Sequence, residues 1–210
     1  EVSGTYFVGG ICGLNRYGKV KGCVNNSRVR GAVYVGGVLG YNRNEISYSG
    51  NSGRVSAETE YAGGVLGVNV SGATISHSVN AGSVFSSGNA IGGVVGSNAG
   101  HVLDCLNSGF ISQGTKVGGI CGEVLGGSNC LLKNCLNAGV VYSSRNTDQI
   151  GAIYGYFEGT GGVEDCYSDS QMCLAKTEDG MFPTEGLLAS DLFAHWLHAD
   201  SLYPRPFDSE

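Results

Sequence analysis

Apolar positions recur along this chain as short alternating runs broken by Gly and Asn, and the runs themselves repeat. The string Val8-Gly9-Gly10-Ile11-Cys12-Gly13 returns at Val35–Gly40, Ala62–Gly67, Ile91–Gly96 and Val117–Gly122, with a degraded sixth copy at Ile150–Gly155. Counted from the first Gly of each pair, the steps are 27, 27, 29, 26 and 33 residues. A second block follows each copy, at Val20–Asn25, Ile46–Asn51, Ile75–Asn80, Val102–Asn107, Leu132–Asn137 and Val163–Ser168. A third apolar position closes each unit: Val29, Val55, Val84, Ile111, Val141 and Met172.

Period-two alternation is the strand signal, and Gly and Asn punctuate it because they tolerate positive φ. Each unit therefore reads as three short strands that cannot bury their own apolar face. Stacking does bury it, each strand pairing with its equivalent one coil away at about 4.8 Å. The predicted fold is all-β: a right-handed parallel β-helix, or β-solenoid, of about six three-strand coils. It would be roughly 25–30 Å long at one strand spacing per coil. The handedness follows from the general rule for parallel crossovers. The rows that stay apolar are the expected core: Val8/Val35/Ala62/Ile91/Val117/Ile150, Ile11/Val38/Val65/Val94/Ile120/Ile153 and Val20/Ile46/Ile75/Val102/Leu132/Val163. The Gly rows leave space where other groups come close. The rows Asn15/Asn42/Asn69/Asn98 and Asn25/Asn51/Asn80/Asn107/Asn137 suggest stacked amides that satisfy turn backbone from coil to coil.

The pattern stops near residue 173. Beyond it, Leu188, Leu192, Phe193, Trp196 and Leu197 fall at helical spacing, with Thr184 and Ser190 as N-cap candidates. The chain thus divides into a solenoid over 1–173 and a small helical C-terminal cap over 174–210, placed to shield the last coil from edge pairing. It opens at Glu1 without Met or a leader, as an excised domain or processed product would, and something upstream is expected to cover the first coil.

Composition narrows the class. Of 210 residues 37 are Gly, too many for a helical bundle, and 41% are apolar against 14% charged, which excludes a disordered polar chain. No apolar run is long enough to span a membrane as a helix. Net charge is −6, of which seven carboxylates and two bases lie from Lys176 onward. The first 175 residues are nearly neutral and show no basic stripe, so nucleic acid is not an expected partner.

The Gly-Gly-Val-Leu-Gly-x-Asn block followed by Ile-x-x-Ser/Cys-x-Asn-x-Gly-x-Val, best seen from Gly63 to Val84 and from Gly92 to Ile111, resembles the GLUG motif. The segment Phe193–Leu197 through Tyr203-Pro204-Arg205 is similar to one that often follows such arrays. The resemblance implies a large exported or surface-attached bacterial protein, adhesin-like or an IgA-cleaving metallopeptidase with its catalytic domain elsewhere. It implies no activity for these residues.

Cys23, Cys105, Cys135 and Cys166 share a row with Ser49 and Ser78, a small, tight position. Cys12 and Cys121 share a row with aliphatics. Both read as buried thiols, with Cys105–Cys135 or Cys135–Cys166 as the disulfides that adjacent coils would permit. His77, Asp104, Asn134 and Asp165 form one outer row beside Glu164, a weak carbohydrate or cation site at best. Asp104 and Asp165 would stand about 10 Å apart, slightly beyond an inverting glycosidase pair. Asp191, His195 and His198 sit at helical spacing that could hold a metal, but read as the polar face of a capping helix. Phe7, Tyr34 and Tyr61 are equivalent positions and would stack as an aromatic ladder, with Tyr6 beside it. The weak ligand-binding candidates are therefore Tyr34, Tyr61, His77, Asp104 and Asp165, with no catalytic residue, no metal and no cofactor. The expected function is a non-enzymatic module of a larger bacterial cell-surface or secreted protein, a spacer, scaffold or adhesion surface. Its partners would be a host or cell-surface glycan or protein and other domains of the same chain. The alternatives are an accessory domain of a secreted metallopeptidase and a divergent carbohydrate-binding or carbohydrate-active β-helix.

Overall fold

The computed structural model of the chain describes residues 1–143, 149–173, 181–183 and 187. These residues form a parallel β-solenoid of about six coils, with five sheets running along the stack, numbered by the place of their strands within a coil: the first four have six strands and the fifth has seven. Every strand pair is parallel and in the register read from the repeats. Val8, Val35, Ala62, Ile91, Val117 and Ile150 pair in succession. So do Val20, Ile46, Ile75, Val102, Leu132 and Val163. No helix among the described residues is long and apolar enough to cross a membrane. The expected capping helix and the Asp191/His195/His198 group lie outside the described residues.

Each coil holds five short strands rather than three. In the third coil they are Val55–Ala57, Ala62–Gly63, Leu66–Asn69, Thr74–Ser76 and Val79–Asn80. What reads as one run is cut in two places. The Gly-Gly corner separates Ala62–Gly63 from Leu66–Asn69. A left-handed residue separates Thr74–Ser76 from Val79–Asn80: His77, at φ 47°. Two further expectations are corrected. The last member of the closing row is Cys173, which bridges Val141 and is buried, while Met172 is exposed. Ile11 and Val163, in the outermost coils, belong to apolar rows but are exposed, because burial in this fold comes from the coil above and the coil below.

The interior is two apolar compartments rather than one. Val38, Leu39, Ile46, Val65, Leu66, Ile75 and their equivalents fill the first, together with Cys105, Cys135 and Cys166. Val29, Val35, Val55, Val84, Ile91 and their equivalents fill the second. Between them the second Gly of each pair meets the Asn ladder of the fifth sheet. A Cβ on Gly64 would fall well inside contact distance of the Asn80 carboxamide and the Gly93 carbonyl. The second Gly of each pair thus makes room for the amide column, while the first, such as Gly63, makes room for the Leu66 carbonyl and the Gly96 N–H.

That column is fully satisfied. Asn25, Asn51, Asn80 and Asn107 each donate to the amide oxygen of the next Asn in the column, which runs to Asn137, at 2.8, 2.9, 2.9 and 2.8 Å. Asn80 Nδ2 also donates to its own Gly82 carbonyl, and its Oδ1 accepts from the Gly82 N–H. The column ends where Asn137 donates to Ser168 Oγ. A second ladder, Asn15 to Asn42 to Asn69 to Asn98, closes on the Cys130 thiol. Both amide ladders were expected from the sequence.

Outside the coil, Met181–Phe182 adds a parallel strand beyond Tyr167–Asp169. Leu187 is buried on the outer face of the fifth sheet against Leu106, Leu136 and Ala138.

Candidate functional site

The cysteine column forms as read: the Cys105, Cys135 and Cys166 backbones are linked coil to coil, and none of the eight Cys is in a disulfide. Burial, above all, holds the Cys135 thiol in its protonated form; Cys166 is driven the same way by its bond to Cys135 and then by burial. These groups are core packing, with Sγ donating to carbonyls two residues back, as Cys105 does to Leu103 at 3.2 Å.

The row of His77, Asp104, Asn134 and Asp165 is a turn row. Its members have φ of 47, 51, 54 and 50°, and the same corner is occupied by Tyr48 (φ 50°) and Gly22 (φ 65°) in earlier coils. Asn, Asp and His are the non-Gly residues most at home in that region, which accounts for their recurrence. His77 stacks on Tyr48 at 4.7 Å between ring centroids and stands 3.9 Å from Asp104. Asn134 donates to Asp104 at 3.2 Å. Asp165 faces Lys133 at 4.0 Å, while Lys133 pairs with Glu164 at 2.8 Å. Asp104 and Asp165 stand two rungs apart in this row, and the Lys133 charge feels both of them. No group of three or more His, Cys, Asp or Glu suited to a metal occurs among the described residues.

The aromatic ladder has more content than the sequence reading gave it. Phe7 and Tyr34 stack at 5.2 Å, and Tyr34 and Tyr61 at 5.7 Å with rings 4° from parallel. The backbone decides what lies beside them. A Cβ on Gly67 would strike the Tyr34–Val35 backbone, and one on Gly40 the Phe7–Val8 backbone. The third Gly of each repeat therefore lets the second and third sheets meet almost backbone to backbone. This brings a second outer row, Leu14/Tyr41/Val68/Ser97/Glu123/Tyr156, alongside the ladder. Tyr41 meets Phe7 edge-on at 5.4 Å and Tyr34 at 5.6 Å.

Along this double row the chemistry changes. Toward the first coils, Phe7, Leu14, Arg16, Tyr34, Tyr41 and Arg43 line a cleft of about 190 Å³. Farther along, Glu123 is buried, accepting from Ser97 at 2.9 Å and pairing with Lys116 at 2.6 Å. Lys116 occupies the ladder's fifth rung and lies 4.4 Å from the Tyr156 ring centroid. Tyr61 lies near the Glu123 carboxylate: burial first, then the charges of Glu123 and Glu60, push its phenol up to about 12. Sequence reasoning missed Tyr41, Arg16, Arg43, Lys116 and Glu123. The available signal was register: Arg16 and Arg43 each follow an Asn of the second ladder, and Glu123 is the one acid in its row.

The pair makes a testable claim about this face. Lys116→Met strands the Glu123 carboxylate in a buried site and is expected to destabilise the protein by about 3 kcal/mol. Adding Glu123→Gln, which keeps an acceptor for Ser97 without the charge, is expected to restore at least half of that loss in denaturant melts. Equal stability of the single and double variants would show that the pair's charge is not what holds this face together.

The fold defines the class, a parallel β-solenoid built of sequence repeats. Comparison with protein-family models, with curated proteins and with solved structures gives no match.

Proposed function

We propose that this chain is a non-catalytic β-solenoid module of a larger bacterial cell-surface or secreted protein, presenting a rigid side face for adhesion. The observation that carries the reading is the double aromatic row. Rings from successive coils stand in one line on an outer face, with Phe7 exposed and Tyr34, Tyr41 and Tyr61 half-buried, on a backbone held in register by two amide ladders. Aromatic rings fixed at strand spacing bind sugar rings or protein side chains with little ordering entropy left to lose. The bacterial and extracellular setting rests on the resemblance of the repeat to the GLUG motif. The two-rung separation of Asp104 and Asp165, about 10 Å at strand spacing and wider than a glycosidase pair, favours binding over hydrolysis. A glycan array read together with a reducing-end assay on polysaccharides tests the proposal. Binding to a defined set of glycans without new reducing ends is the expected result, and cleavage of any polymer overturns the non-catalytic assignment.

A further inference from the structure

Resting on that adhesion reading, we propose that the cleft at the start of the aromatic face binds an anionic saccharide, a sugar ring carrying a carboxylate or sulfate. Three observations converge there. The wall is aromatic, with Tyr41 set edge-on between Phe7 and Tyr34. The C–H face of a sugar ring packs against such a wall, as apolar surface does against any aromatic side chain. The rim carries Arg16 and Arg43 in consecutive coils, one strand spacing of about 4.8 Å apart, close enough for both forks to reach one anion. Neither guanidinium is in an ion pair among the described residues; Arg43 lies 6.0 Å from the Tyr41 ring centroid.

The surrounding field is largely of the same sign, with Glu60, whose charge reaches Tyr34, as the exception. Residues 1–54 hold seven bases (Arg16, Lys19, Lys21, Arg28, Arg30, Arg43, Arg54) against two acids (Glu1, Glu45), an excess of five positive charges that the nearly neutral total over 1–175 conceals. Glu45 is already taken by Lys19 at 2.6 Å. Stacking two basic turns on one another concentrates this charge at one end of the solenoid, where it attracts anions over about a Debye length. The volume of about 190 Å³ is below the ~300 Å³ at which drug-sized pockets begin, so the cleft takes one sugar unit of a longer chain rather than a whole small molecule. A second arginine cleft, at Arg28, Arg30 and Arg54, is less suited: Arg30 pairs with Glu58 at 2.8 Å and Arg54 covers Phe85.

Calorimetric titration with sialyllactose, sulfated lactose and unmodified lactose tests the proposal, the first two separating carboxylate from sulfate. The expected result is that at least one anionic sugar binds about tenfold more tightly than lactose, and less tightly as salt is raised. Arg16→Gln with Arg43→Gln removes that preference, and Tyr41→Leu weakens binding about tenfold, with circular dichroism unchanged. Arg28→Gln with Arg54→Gln, in the other cleft, changes affinity by less than about twofold. The inference is overturned if lactose binds as well as its anionic forms, if no anionic sugar binds at millimolar concentration, or if the Arg28/Arg54 variant loses as much as the Arg16/Arg43 variant. Lactose binding without anionic preference leaves the adhesion reading standing, whereas a blank array with every glycan removes the sugar-facing version of both.

Discussion

Asn80→Leu is expected to lower stability by about 4 kcal/mol, more than any surface change in the molecule. Leu keeps the volume but not the bonds. It orphans the Gly82 carbonyl and one Asn51 amide N–H, and it takes one of two partners from the Gly82 N–H, which keeps the Asn51 carbonyl, and from the Asn107 carboxamide oxygen, which keeps the Gly109 N–H, all of them buried. A buried polar group left unpaired costs about 1–3 kcal/mol, and relaxation of the neighbouring coils recovers part of the total. Position along the ladder sets the size. Asn25→Leu, at the first rung, has one ladder neighbour instead of two and is expected to cost about half as much. Urea melts of the two variants check this. Equal losses at both positions would show that the amide column is not a cooperative element of the stack.

Gly64→Ala is expected to be as damaging, by about 4 kcal/mol, although it adds a single methyl group. The new carbon would sit inside contact distance of the Gly93 carbonyl and the Asn80 carboxamide. Neither can give way without breaking the ladder or the strand pairing around it. The matched control is Gly127→Ala, in an exposed loop with nothing within 4 Å of the added carbon, expected to lie within about 0.5 kcal/mol of the parent. If the two substitutions cost the same in thermal melts, close approach is not the reason for the paired Gly. The same clash pattern recurs at Gly37, Gly93 and Gly119, each against its own Asn, so the conclusion extends along the stack.

Register was legible in the sequence because a parallel stack places equivalent residues directly over one another, and repetition alone reveals equivalence. The apolar rows, both Asn ladders, the Cys105/Cys135/Cys166 column and the Phe7/Tyr34/Tyr61 stack all follow from that rule. Strand count did not follow, because a left-handed corner such as His77 interrupts a run without interrupting its apolar pattern. The same corner explains why an apparent row of functional groups, His77, Asp104 and Asp165, is in large part a row of turn formers. The sixth closing position was misread at Met172 because both Met172 and Cys173 are apolar and only pairing to Val141 separates them.

What repetition cannot show is what happens across a coil. The chain by itself determined which residues stack along the axis, since that depends only on the period. Only the tertiary structure decided which rows face each other laterally, because that depends on how closely Gly backbones approach. From that approach come the split interior, with Asn80 seated on Gly64, and the meeting of the Tyr34 ladder with the Tyr41 row. The Arg16/Arg43 cleft and the buried Lys116–Glu123 pair lie on that seam, invisible to a reading of one row at a time.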